Sequence, residues 1–204
     1  MDSYFGLPYP YAYPVRTNAA DWTPAAVQLN RTLRMLWEQH VYWTRLTVNS
    51  IVGRYPEQQA ATARLLRNPT DFGAALEPYY GKAIADRFAA LLRDHLTIAA
   101  EFVTDLRDGK QAEAADAQKR WYANAADIAE FLGRINPYWS RQEWVMMMNE
   151  HLRLLTLEAA SRLRADYVAN AATSDPIERQ ALEMADVMTQ GIIRQFPSAF
   201  GIVS

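Results

Sequence analysis

Leu29-Asn30-Arg31-Thr32-Leu33-Arg34-Met35-Leu36-Trp37-Glu38-Gln39-His40-Val41-Tyr42-Trp43-Thr44 places apolar side chains at 29, 33, 36 and 37, and the stripe continues through His40, Thr44, Thr47 and Ile51. Steps of three and four residues are the period of an α-helix with one buried face, whereas a half-buried strand alternates every second residue. The stripe predicts a helix over about 25–52, stopped by Gly53 and Pro56. His40 lies on that stripe, so a polar group falls on a face meant for the core and needs a hydrogen-bonding partner there.

The same reading carries outward along the chain. A second helix is expected to about residue 76, kinked or split near Asn68 by Pro69, and Pro78 to Gly81 end it. The third, over about 83–106, has Ile84, Phe88, Leu91, Leu92, His95, Ile98, Ala99 and Phe102 on one face, and Asp108 and Gly109 close it. An alanine-rich fourth helix over about 111–134 ends before Asn136 and Pro137. Ser140, with Glu143 three residues on, makes a capping box for a fifth helix to about 167, and Asp175 and Pro176 open the sixth. No run alternates long enough to be a strand. The expectation is an all-α bundle of about six helices in one domain over 21–204, ferritin-like in style. Its helices are expected to form three tandem helical hairpins at about 25–76, 83–135 and 141–196. Residues 1–20, rich in Tyr and Pro, are expected to be an extended segment, either a disordered tail or an arm that lies on the bundle or on a partner, a second copy or another protein.

The helices repeat one another. The only three histidines occur as Gln39-His40, Asp94-His95 and Glu150-His151 on the odd-numbered helices. Each has large apolar residues three, four and seven positions earlier (Trp37, Leu36, Leu33; Leu92, Leu91, Phe88; Met148, Met147, Trp144). On the even-numbered helices the pattern Arg64-x-x-x-Asn68-x-x-Asp71 recurs as Arg120-x-x-x-Asn124-x-x-Asp127 and as Arg179-x-x-x-Glu183-x-x-Asp186. Spacings of four and three keep these groups on one helical face. With a rise of about 1.5 Å per residue, His40 and Asp71 both fall roughly 20 Å from their shared turn, and His95 is level with Asp127 to within about one helical turn. In the third hairpin His151 and Asp186 are not level unless the sixth helix begins well before Pro176.

Composition narrows the chemistry. A formal charge of -2 with both signs interspersed offers no field for a phosphate backbone or an anionic membrane, and the apolar runs are too short to span one, so neither nucleic acid nor membrane is expected as a partner. Zero cysteines exclude disulfides, thiolate ligands and thiol nucleophiles. No phosphate loop, dinucleotide turn, nucleophile elbow or His-Glu-x-x-His motif is present, so no nucleotide or thiol-based cofactor is expected and the sequence does not decide whether the protein is an enzyme. The first residues lack the basic start and apolar stretch of a secretory signal, which predicts a cytoplasmic address.

Two readings of the polar layer stand side by side. In one, imidazoles and carboxylates from facing helices bind Fe, Mn or Zn: His40, His95 and His151 with Asp71, Asp127 and Asp186, supplemented by Glu158 and Glu183. Arg64, Asn68, Arg120, Asn124 and Arg179 would then orient the ligands from behind. In the other, the same groups form a buried network, each histidine donating to the aspartate of its neighbouring helix, and fix helix register without any metal.

Leu36-Trp37-Glu38-Gln39-His40-Val41-Tyr42-Trp43-Thr44-Arg45, Arg64-Leu65-Leu66-Arg67-Asn68-Pro69-Thr70-Asp71-Phe72 and Ala185-Asp186-Val187-Met188-Thr189 resemble an uncharacterised family of small helical proteins of spore-forming Firmicutes. The resemblance covers nearly everything after the Tyr/Pro-rich arm and implies association with the spore. Members are often labelled acetylglutamate kinase, an enzyme of an α/β fold with glycine-rich phosphate loops, and this sequence has neither such loops nor strands. The pairing of an acidic residue with histidine on long helices is also similar in style to ferritin-like proteins with duplicated bundles; neither resemblance supplies a known activity, and a storage or redox role is an expectation of the metal-binding reading.

Overall fold

The computed structural model describes residues 22–202. Among them are eight α-helices and no strand: α1 Pro24–Gly53, α2 Gln58–Leu65, α3 Asn68–Tyr80, α4 Lys82–Arg107, α5 Gln111–Ile135, α6 Arg141–Leu163, α7 Tyr167–Ala172 and α8 Ser174–Gln195, followed by a 3-10 turn at Pro197–Phe200. The Tyr/Pro-rich arm lies outside the described residues.

Local chemistry sets the helix ends. Thr23 caps α1, its hydroxyl accepting from Ala26 N at 3.3 Å, with Pro24 in the first turn. Ser140 caps α6 in the same way, accepting from Glu143 N at 3.3 Å. Pro69 sits in the first turn of α3, so the expected break near Asn68 is present as the α2–α3 junction. The second proline behaves otherwise: α3 runs through Pro78 to Tyr80, longer than expected, and stops at Gly81, whose φ of 76° only glycine adopts without strain.

One turn recurs three times. Arg54, Gly109 and Ala165 each take a left-handed conformation, with φ of 51°, 73° and 56°. The next residue then donates five positions back: Tyr55 N to Ser50 O at 3.0 Å, Lys110 N to Asp105 O at 2.9 Å, Asp166 N to Ser161 O at 3.0 Å. This is the Schellman closure of a helix C-terminus, satisfying carbonyls the helix leaves open. Each left-handed residue lies fourteen positions after a histidine: His40 and Arg54, His95 and Gly109, His151 and Ala165. The third turn corrects two expectations at once. The fifth helix ends at Leu163 rather than near 167, and a short helix, α7, precedes α8. The chain therefore turns back at Ala165, about ten residues before Pro176; counted from that turn His151 lies fourteen residues away and Asp186 twenty-one, so those two are still not level.

α1 packs against α2, α3, α4, α6 and α8; α4 packs against α3 and α5, α5 against α6, and α6 against α7 and α8, so the last helix closes back on the first. The burial pattern shows how regular the packing is. At seven, four and three residues before each histidine, and one, seven and eight after it, all three histidine-bearing helices are buried. The layer seven residues after the histidines holds Thr47, Phe102 and Glu158; the layer seven before them holds Leu33, Phe88 and Trp144. At the far end Trp139 lies across Gly191, donates its indole N–H to Val187 O at 3.1 Å, and occupies the space any β-carbon at 191 would need.

Candidate functional site

His40, His95 and His151 are all 1% exposed and meet in the middle of the bundle. The His40 and His151 ring centroids are 5.6 Å apart and those of His95 and His151 6.5 Å. Trp37 lies beside this group, 5.3 Å from His40 and 6.3 Å from His151.

Each ring is held by an amide from the chain that returns after its own turn. His40 Nδ1 is 3.1 Å from Asn68 Oδ1, His95 Nδ1 2.8 Å from Asn124 Oδ1, and His151 Nδ1 2.9 Å from Gln180 Oε1. The amide nitrogens donate to backbone carbonyls one turn before each histidine: Asn68 Nδ2 to Leu36 O at 2.9 Å, Asn124 Nδ2 to Leu91 O at 3.1 Å, Gln180 Nε2 to Met147 O at 3.0 Å. A carbonyl only accepts, so each amide must face it with its NH2 and turn its oxygen to the imidazole. That oxygen in turn requires a proton on Nδ1. All three histidines are thus neutral Nδ1–H tautomers whose Nε2 carries the lone pair. In agreement, His95 Nε2 accepts from Trp121 Nε1–H at 3.1 Å. His151 Nε2 is buried with no partner.

Burial keeps these rings uncharged, because a desolvated imidazolium has no counter-ion here. Desolvation holds His40 well below its ordinary value, helped by repulsion from His151 and His95. It lowers His95 to about 3, again with His151 contributing, and His151 to about 4.

The expected partners of the histidines were aspartates; the partners are amides, and the carboxylates face elsewhere. Asp71 pairs with Arg67 at 3.0 Å, Asp127 is exposed, and Asp186 accepts from Arg34 at 2.7 Å and Asn30 at 2.8 Å across the α1–α8 seam. Glu183 is half-buried beside Arg179 and Asp186, and burial raises its carboxyl above the ordinary value. Arg64 reaches Gln39 at 3.2 Å and lies over the Trp43 ring, while Arg120 bridges Glu101 and Asp116 on an outer face. Asn68 and Asn124 alone of the five expected orienting residues contact histidine. Glu158 is buried two helical turns beyond His151, with Arg45 Nη1 2.6 Å from Oε1. Among the described residues no three His, Asp or Glu side chains are arranged to hold a metal ion.

Gln180 is the residue that the repeated Arg-Asn-Asp pattern misplaces. Aligned by structure, Asn68-Pro69-x-x-Phe72-Gly73, Asn124-Ala125-x-x-Ile128-Ala129 and Gln180-Ala181-x-x-Met184-Ala185 correspond, with every named residue buried. Glu183 therefore matches Asp71 and Asp127 rather than the asparagines, and Pro176 stands where the other two repeats have arginine. The small residues one and five positions after the amide were the trace of this register in the sequence.

A small cleft adjoins the layer on its turn-proximal side, among α1, α2, α4, α5 and α6. Thr44, Thr47, Ala99, Phe102, Trp121 and Leu155 are among its walls, which are almost wholly apolar. No helix among the described residues is long and apolar enough to cross a membrane. The chain matches no family model, no curated protein and no solved structure.

Proposed function

We propose that this chain is a non-enzymatic helical module of three consecutive hairpins, and that its histidine layer is a buried hydrogen-bond network setting the register of each hairpin. One observation carries the reading: the same closed clamp, imidazole N–H to amide oxygen and amide N–H to a carbonyl one turn back, occurs three times with its polar groups used internally. A slip of either helix by one residue would leave several buried groups unpaired at once, at about 1–3 kcal/mol each. Such a module supplies a rigid body. Contact with a partner, a second copy or another protein, we assign to the Tyr/Pro-rich segment 1–20.

Metal binding remains the second reading, on a narrower basis than the sequence offered. It draws support from the contact of the three rings and from the unpartnered His151 Nε2, a lone pair of the kind a transition ion takes. It draws none from the carboxylates, and Trp121 already occupies His95 Nε2.

Elemental analysis and a thermal-unfolding series on untagged protein separate the two. The network reading expects no stoichiometric Fe, Mn or Zn and a midpoint unchanged by chelator or by added Zn(II). One tightly held equivalent, with a midpoint that falls on chelation, would replace it with the metal reading.

A further inference from the structure

Helix α7 buries only one of its residues, Asn170; Tyr167 is 60% and Val168 84% exposed. That one residue bonds the backbone of a buried glutamate and shares an arginine with its carboxyl. Asn170 Nδ2 donates to Glu158 O at 2.9 Å, and Arg45 Nη2 reaches both Asn170 O at 2.9 Å and Asn170 Oδ1 at 3.0 Å. The same arginine approaches Glu158 Oε1 through Nη1 at 2.6 Å and Thr173 Oγ1 at 3.5 Å, so a single guanidinium joins α1 to α6, to α7 and to the α7–α8 junction. Glu158 Oε2 is buried and has no partner.

We propose that α7 is a proton-controlled lid: it lies closed over Glu158 when that carboxyl is neutral and lifts to admit water when the carboxyl is charged. The direction follows from the unpartnered oxygen. A carboxylate spreads its charge over both oxygens, and here one of them has no donor within reach, while a neutral carboxyl leaves only a hydroxyl unpaired, a smaller cost. Among the described residues, Arg45 is the one charged group acting on Glu158. At this level of the bundle α1 also contributes Thr47, α4 Phe102, α5 Ala117 and the α7–α8 junction Thr173, none of them ionisable. In support, burial outweighs Arg45 and pushes the Glu158 carboxyl up to about 7, so the charge changes within the ordinary physiological range. Hydrating the carboxylate requires moving only a six-residue helix held by one buried side chain, and the rest of α6 can stay packed. The exposed Tyr167, with Arg162 over its ring at 4.9 Å, would move with the lid.

Hydrogen exchange on the full chain tests this, read as protection after dividing out the chemical exchange rate at each pH. The peptide spanning residues 164–173 is expected to lose at least tenfold in protection between pH 5.5 and 8.5, while a peptide from α5 stays constant. Glu158→Gln, which keeps the shape and removes the charge, is expected to hold the low-pH protection throughout. A wild-type 164–173 peptide whose protection does not change with pH would overturn the proposal. So would an equal loss in Glu158→Gln, or an equal loss in α5.

Discussion

Gln180→Leu is expected to lower the unfolding free energy by about 2–3 kcal/mol, measured by denaturant titration near pH 7. Gln180 is 3% exposed, and its oxygen is the partner of His151 Nδ1. An apolar replacement of similar size leaves that N–H buried and unpaired, and the neutral imidazole has no second partner to turn to, since Nε2 is already without one. The Met147 carbonyl loses the amide but keeps its own helix bond, so the imidazole bears most of the cost. Removing both partners reverses the logic: His151→Leu with Gln180→Leu is expected to return to within about 1 kcal/mol of wild type, because no buried donor is then stranded. Glu183→Gln, at the position the sequence pattern aligned with Asn68 and Asn124, is expected to change stability by less than about 0.5 kcal/mol. A large loss in Glu183→Gln together with a small one in Gln180→Leu would mean that the third clamp is assigned to the wrong residue.

Acid is expected to unfold the protein unusually steeply. A histidine held neutral in the folded state, with its pKa depressed from about 6.5, protonates first in the unfolded chain, so the unfolded state binds more protons below pH 6.5. Stability from these groups is complete above about pH 6.5 and is lost as pH falls toward the folded values, about 4 for His151, about 3 for His95 and lower than ordinary for His40. Glu158 works the other way. Its folded pKa of about 7 lies above the unfolded one, so its contribution is present below about pH 4.5 and is lost as pH rises through 7. Three histidines against one glutamate leave a net slope of about 2–3 kcal/mol per pH unit between pH 6 and about 4.5, and a stability that rises more gently above pH 6 and levels off near about pH 7.5. Denaturant midpoints across that range measure it. A midpoint unchanged from pH 6.5 to 5 would show that the rings are charged or hydrated in the folded protein.

How much of this was legible in the sequence depended on what kind of regularity carried it. The three- and four-residue stripe around His40 and its counterparts gave the helices, because burial of one face writes itself directly into periodicity. The histidines on that stripe announced a buried polar layer, and Asn68 and Asn124 stood in the pattern that proved to hold them. The third amide was misplaced because Arg179, Glu183 and Asp186 repeat the surface of the motif, a set of charges that pair with other groups or face solvent. Gln180 repeats its interior, with Ala181 and Ala185 marking close helix contact. Ala165 hid the third turn for a related reason: a left-handed residue is easily read at Gly109, but alanine and Arg54 adopt it only because packed helices on either side make up the cost of about 1–2 kcal/mol. The choice of amides over aspartates also follows from burial. A neutral imidazole N–H needs an acceptor, and a neutral amide supplies one in a 1% exposed layer without bringing a charge into it.

The protonation of the three imidazoles tests the central claim most directly. Long-range nitrogen–proton NMR of the histidine rings at pH 6.0, with and without added Zn(II), is predicted to show three neutral Nδ1–H tautomers whose Nε2 stays unprotonated and unmoved by the metal. Rings that are protonated at that pH, carry the proton on Nε2, or shift together on one equivalent of Zn(II) would contradict it.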